Sequence, residues 1–354
     1  NTLWSILLYY MSEIALFQSL YDDILIISFH DTAGDKKEHF LIFPAFLSGY
    51  PQEGIMIDLH MHSYYSNDGE FSPSELVKKC TEQDISIMSI ADHNTVRATD
   101  EALEAARAAG IAFLPGIEID CTYENTNFHM LGYGIRWQNR IFAEIENSIR
   151  RQGQSVSLHM LEKTRELGFD VTETDMEQMA AGSYWPETWT GEMFAEFLLS
   201  QPQYKNHPLL LPYREGGARS DNPYVNFYWD YYSQGKPCYA EMYYPDMEQI
   251  IEIIHENDGL AVLAHPHINL KGKKQLLEGI IGLGIDGIEA YSSYHSQTQI
   301  NETLSAARQH GLFVTCGSDF HGKTKPSIEL RQHGCTLPGE QMEKQMARLL
   351  EKAL

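Results

Sequence analysis

Histidines and carboxylates recur at short spacings along this chain. His60 and His62 flank Met61, Asp68 follows in a glycine-containing loop, and Asp92-His93-Asn94, Glu118, His129, His265-Pro266-His267 and Asp319-Phe320-His321 come after. Imidazole and carboxylate without thiolate suit zinc, manganese or iron, and a carboxylate such as Glu118 can bridge two ions. Bridged ions about 3.5 to 4 Å apart lower the pKa of a shared water and stabilise both oxygens of an in-line displacement at phosphorus. Such a centre hydrolyses a phosphoester with no serine or cysteine nucleophile. Each piece alone is weak. A single histidine on an apolar strand is more often a hydrogen-bonded core residue than a ligand, and Asp68 alone reads as a turn former. His159, His207, His255, His295, His310 and His333 stand apart from the others and read as ordinary polar residues. The combination carries the reading, because buried polar groups must be paired and cations pair them.

Nearly all of these residues fall at or just beyond the end of a short apolar segment. Segments 55–59, 85–91, 112–119, 128–133, 260–264, 287–290 and 312–316 read as seven buried parallel strands. Helical patterns lie between most of them. One starts at Ser72-Pro73-Ser74-Glu75, with a serine cap, proline at the first helical position and a glutamate placed to close a capping box. A second covers 99–109 and stops at Gly110, and a third covers 246–256, ahead of the strand that carries His265. The alternation predicts an α/β fold, either a barrel or a doubly wound sheet. In a barrel the strand ends converge on one mouth, so side chains between positions 60 and 321 would meet in one pocket. Within H-x-H and D-x-H, the two-residue repeat of extended backbone sends both side chains to the same side.

The alternation lapses over 139–244, where a helical pattern at 141–167 gives way to Trp, Tyr, Pro and Gly. An insertion of this size belongs over the mouth as a cap, and Arg214, Arg219 and the aromatics of 224–232 are candidates to meet a substrate there. Residues 1–55 read as an extension of unknown role, with a hairpin of 24–29 and 39–43 across Thr32-Ala33-Gly34-Asp35. Met56, just ahead of the first barrel strand, reads as an older start. The formal charge of −23 argues against long duplex nucleic acid as a partner, since such binding needs Lys and Arg. Bound cations would invert the potential locally and admit a phosphate. No apolar run is long enough to span a membrane, and the five cysteines contain no C-x-x-C pair, so a reducing cytoplasm is the expected setting.

Ile57-Asp58-Leu59-His60-Met61-His62-Ser63, Asp68-Gly69, Ala91-Asp92-His93-Asn94-Thr95, Gly116-Ile117-Glu118, Leu263-Ala264-His265-Pro266 and Gly317-Ser318-Asp319-Phe320-His321-Gly322 together closely resemble the motifs of the PHP (polymerase and histidinol phosphatase) family. The resemblance covers about 56–330. It implies a distorted seven-stranded (β/α) TIM-like barrel built from 56–138 and 245–354, with 139–244 as an inserted, mainly helical cap. It also implies two or three divalent ions, Mn, Zn or Fe. His60, His62, Glu118 and Asp319 would hold one, Asp68, His93 and His321 a second, and His129 and His265 a third with Glu118 bridging. Asp92 and Asn94 would orient ligands or phosphate, and His267 is expected beside the ligands.

The branch with Asp68 in place of a histidine and a cap after the fourth strand is similar to stand-alone phosphatases acting on AMP and 3',5'-bisphosphonucleotides, with relatives that trim RNA from its 5' end. Those proteins carry a His-x-Ala-Arg-like element in the cap. The comparable stretch here is Gly191-Glu192-Met193-Phe194-Ala195-Glu196, which sets a glutamate where an arginine would face phosphate. Arg97, Arg214, Arg219 and Lys323 are the candidates to compensate. The expected activity is hydrolysis of a phosphomonoester, a nucleotide or related small phosphate, by a metal-bridging hydroxide. The alternatives are a 5'-3' exonuclease on short oligonucleotides, a histidinol-phosphate-type phosphatase, and a metal-binding module without catalysis.

Overall fold

The computed structural model of the protein describes residues 24–30, 36–42, 56–335 and 349. Within the first 55 residues, β1 (Ile24–His30) and β2 (Lys36–Ile42) pair antiparallel, with Ile24 opposite Ile42 and His30 opposite Lys36. This is the expected hairpin; its turn lies outside the described residues.

Met56–Thr336 form a separate compact unit. It opens with β3 (Met56–Asp58), α1 (Pro73–Glu82), β4 (Ile85–Met88), α2 (Thr99–Ala109) and β5 (Ala112–Phe113). The helix α1 starts as its sequence dictates: Ser72 Oγ accepts from the Glu75 amide, and the Glu75 carboxylate accepts from the Ser72 amide at 2.8 Å. At the end of α2, Gly110 takes φ 70°, a left-handed turn that costs glycine little. The apolar faces of these helices, including Leu76, Cys80, Ala102 and Ala106, pack on Met88 and Ile90. The chain continues through β6 (Gly116–Tyr123) and β7 (Thr126–Tyr133) into four helices, α3 (Arg140–Glu166), α4 (Glu173–Ala180), α5 (Gly191–Ser200) and α6 (Pro223–Tyr231). These share an apolar cluster of their own that includes Leu161, Phe194, Leu198 and Phe227. They occupy the stretch where strand patterning lapses. Then follow α7 (Met247–Glu256), β8 (Leu260–Leu263), α8 (Pro266–Leu270), α9 (Gln275–Gly282), β9 (Gly287–Ser292), α10 (Gln297–His310) and β10 (Phe313–Gly317).

This unit is mixed α/β, and it departs from the expected set of seven parallel strands. Eight strands form two sheets, β3-β4-β5, all parallel, and β10-β9-β8-β7-β6. Segment 112–119 is two strands, because Pro115 has no amide to continue the first pairing. The fourth expected strand, β7, runs antiparallel to both β6 and β8. Its entry turn is Glu124-Asn125, at φ 45° and 58°, a two-residue reversal that lays the chain back against itself. Both sheets are open among the described residues. Single bridges, Met61 with Phe320 and His93 with Glu118, bring their strand ends side by side. Among the described residues no helix is long and apolar enough to cross a membrane.

Candidate metal centre

Beyond the end of β3, extended backbone sends His60 and His62 the same way, so that their Nε2 atoms lie 3.1 Å apart. Glu118 on β6 and Asp319 beyond β10 complete a buried group of four. Glu118 Oε2 is 3.3 Å from each Nε2, and Asp319 Oδ1 is 3.4 and 3.1 Å from those of His60 and His62. These five separations, 3.1–3.4 Å, are of the size expected between donors that share one ion at about 2 Å.

The hydrogen bonds fix which nitrogen of each ring faces the cluster. His60 Nδ1 donates to Glu289 Oε1 at 2.9 Å. Ser66 Oγ gives its proton to Asp92 and therefore accepts from His62 Nδ1. His265 Nδ1 donates to the side-chain oxygen of Asn269, and His321 Nδ1 to the carbonyl of Asp319. With each Nδ1 so engaged, all four Nε2 atoms are turned toward carboxylate oxygens, the orientation in which histidines are held to bind a metal.

Glu118 lies between these groups. Its Oε2 faces His60, His62 and, at 3.1 Å, His93; its Oε1 is 2.9 Å from His129 and 3.0 Å from His265. Asp68 Oδ2 is 3.2 Å from His321 and 3.8 Å from His93. All nine expected ligand residues thus converge. Asp68 Oδ1, His93 Nδ1, Glu118 Oε2, Asp319 Oδ1 and His321 Nε2 are buried there with no hydrogen-bond partner. Each such atom costs about 1–3 kcal/mol unless something satisfies it. Divalent cations fit this donor set in type, since oxygens and imidazoles without thiolate suit zinc, manganese and iron.

Titration reflects the same crowding. Burial opposes a charge on His60, yet Glu289, Glu118 and Asp319 hold it well above the usual histidine range. His62 is likewise raised against burial, to about 9, by Asp319 and Glu118, and His129 to about 10 by Glu118 and Asp120. Burial would raise the acids. Instead His129, His60 and His93 take Glu118 well below its usual value, and Lys325, His321 and His60 do so for Asp319. His93 is pushed down to about 4, first by burial.

Around the ligands, Asp92 accepts from the amide and hydroxyl of Ser63 and from Ser66, fixing the loop that follows His62. Asn94 exchanges hydrogen bonds with Asp120, whose carboxylate also reaches His129 at 3.1 Å. His267 turns away to Thr303. Asn94, His265 and Asp319 take positive φ values of 58°, 20° and 57°, backbone strain of the kind that collects at functional sites. The sequence reading missed Glu289, Asp120 and Tyr294, and it favoured Lys323 in the loop 322–326 where Lys325 is the basic residue that reaches the cluster. Glu289 was detectable as a carboxylate in an apolar strand; Tyr294, which like Lys325 reaches Asp319 Oδ2, carries no comparable signal.

A cavity of about 310 Å³ opens beside the cluster, with Asp68, His93 and His129 on its wall together with Trp185, Trp189 and Tyr228. None of the four basic candidates lines it. Arg97 pairs with Glu146, Arg214 donates to the carbonyls of Leu199 and Tyr204, Arg219 pairs with Asp230, and Lys323 with Glu196. They therefore serve the packing of the helices and loops. The basic residues on the cavity wall are Arg150 and Lys325. Glu192 is also on the wall, and burial, then the charge of Asp68, push its carboxyl up to about 7.

The sequence profile described as PHP domain matches residues 58–282. The 5'-3' exoribonuclease Rnm of Escherichia coli strain K12 is 29% identical over 282 residues, covering 78% of this chain and 88% of that protein. A 3',5'-nucleoside bisphosphate phosphatase of Chromobacterium violaceum is 29% identical over 269 residues, covering 75% and 87%. Among solved structures, a candidate metal-dependent phosphoesterase from Bifidobacterium adolescentis is 25% identical with a TM-score of 0.67, covering 85% of this chain and 97% of that one.

Proposed function

Since the chain belongs to the PHP domain family, we propose that it is a metal-dependent hydrolase of small phosphate monoesters, nucleotides or related compounds. The observation that supports this most is the set of Nε2 atoms from His60, His62, His265 and His321 turned toward carboxylate oxygens with every Nδ1 engaged elsewhere. His60, His62, Glu118 and Asp319 would hold one divalent ion, Asp68, His93 and His321 a second, and His129 and His265 a third shared through Glu118. When bound, such ions supply Lewis-acid stabilisation of the phosphoryl charge and an acidified water.

The chain's own residues do the rest. Glu289 and Asp92 keep the rings of His60 and His62 in their working tautomers, directly and through Ser66. Lys325 and Tyr294 bind the outer oxygen of Asp319 and leave its inner oxygen for the cluster. The aromatic wall of the cavity holds the leaving alcohol and displaces water from it. We read the two sheets as parts of one distorted barrel, 56–138 and 245–354, capped by 139–244, with the bridges between strand ends as support. Residues 1–55 would be an addition to it.

Trimming of short oligonucleotides is a second reading, favoured by the stack of Arg150 on Trp185, 4.5 Å from its ring centre, on the cavity wall. Phosphate release from mononucleotides, bisphosphonucleotides, sugar phosphates and a labelled oligomer after manganese loading tests both. Release from a monoester, abolished in His60→Ala, Glu118→Ala and Asp319→Ala with unchanged circular dichroism, is expected. Undiminished turnover in all three variants would refute the assignment.

A further inference from the structure

The cavity carries more negative charge than a site for two phosphates should. Its wall holds the carboxylates Asp68, Asp120, Glu146 and Glu192, and three of them have cationic or imidazole partners: His321 and His93 for Asp68, His129 for Asp120, Arg97 for Glu146. Glu192 differs. It stands in the first turn of α5, where its polar partners are the Thr190 side chain and its own amide. The two basic side chains on the wall are engaged elsewhere, Arg150 with Glu187 and Lys325 with Asp319. Once a phosphate sits on the cluster, the remaining space thus offers one carboxyl group whose nearby cation, Lys325, is held by Asp319, with Tyr228, Trp229, Tyr239 and Tyr244 lining the same cavity. A carboxylate set among aromatic faces is the environment that recognises an organic cation.

We propose that Glu192 is a specificity residue that selects phosphate monoesters whose alcohol carries a protonated amine and rejects esters bearing a second phosphate. The inference rests on the phosphomonoesterase reading and deepens it. An ammonium group on the leaving alcohol holds the Glu192 carboxyl in its ionised form and lies against the rings, whereas a second phosphate at the same place meets that carboxyl's negative charge or forces it to take up a proton, with no free cation to offset it. The departure at Gly191-Glu192-Met193-Phe194-Ala195-Glu196 then has a use. Glu196 ties down Lys323, and Glu192 faces the substrate.

The test compares the manganese-loaded protein and Glu192→Gln on 3-aminopropyl phosphate, its uncharged isostere butyl phosphate, a nucleoside 3',5'-bisphosphate and an aryl phosphate, with thermal melts to verify folding. Wild type is expected to favour the amino ester over butyl phosphate in kcat/KM by roughly thirtyfold, the value of one desolvated charge pair, and Glu192→Gln to bring that ratio toward unity. Calorimetric binding of 3-aminopropylphosphonate against butylphosphonate should show the same preference without turnover. An unchanged ratio in Glu192→Gln, or a wild-type preference for the bisphosphate, overturns the inference while cleavage of the aryl phosphate leaves the phosphatase reading standing. If wild type spares the aryl phosphate and every other ester, both fall.

Discussion

Lys325 Nζ donates to Asp319 Oδ2 at 2.7 Å, and the other oxygen of that carboxylate faces His60 and His62. One acid thus links a buried cation from the loop after β10 to the cluster. In Lys325→Met, Oδ2 keeps only Tyr294, and the carboxylate loses the strongest influence holding its pKa down. Activity should fall by about ten- to a hundredfold, the usual cost of losing a group that positions a ligand. The acid limb of the pH–rate profile should move to higher pH, because Asp319 would take up its proton more readily. A profile that keeps its position at full rate would show that Lys325 has no such role.

Glu289 accepts twice, from His60 Nδ1 through Oε1 and from the His265 amide through Oε2. In Glu289→Gln one of these donors must face an NH₂ group. The His60 ring then loses its fixed tautomer or the His265 backbone loses its anchor. Manganese affinity, followed by calorimetric titration, is expected to weaken about ten- to a hundredfold with little change in secondary structure. Equal affinity in the variant would count against Glu289 as the orienting group.

Most of the candidate ligands were legible in the sequence because they lie just beyond strand ends, and the period of two in extended backbone makes H-x-H and D-x-H face one way. The reversal at β7 was also within reach. Only eight residues separate segments 112–119 and 128–133, fewer than the dozen or so a parallel crossover needs. The fates of the basic residues were hidden. Arg97 meets Glu146 and Lys323 meets Glu196 across long sequence separations, so nothing local marked those charges as already satisfied. Glu289 gave a signal, a lone acid in an apolar strand, whose meaning depended on which histidine lay opposite.

The raised imidazoles set a pH signature for the metal-free protein. A group whose pKa rises on folding stabilises the fold while protonated. That contribution is complete below the unfolded value of about 6.5 and is lost as pH passes the folded value. For His62 the loss centres near 9 and for His129 near 10. Chelator-treated protein should therefore melt at progressively lower temperature from about pH 6.5 to 10. Manganese-loaded protein should be more stable throughout, by about 2.7 kcal/mol at a hundred times Kd, with a shallower slope, since cations compete with those protons. Parallel curves for the two forms would separate the histidines from metal binding.

Gly317, the last residue of β10, has no room for a side chain. A Cβ there would lie 2.1 Å from His60 Cβ and 2.8 Å from Glu289 Oε1, so neither His60 nor its carboxylate partner could stay in place. The contact involves a Cβ atom, which cannot rotate away as the end of a long side chain would. Gly317→Ala must therefore shift β10 against the backbone that carries His60, at a cost in the range of about 1–3 kcal/mol for overpacking. Because Asp319 follows two residues later, the same shift opens the group formed by His60, His62, Glu118 and Asp319. The variant should lose metal affinity and phosphatase activity more severely than its modest fall in melting temperature accounts for. A variant that melts lower but binds manganese and turns over as wild type would show that the close approach of Gly317 to His60 serves packing alone.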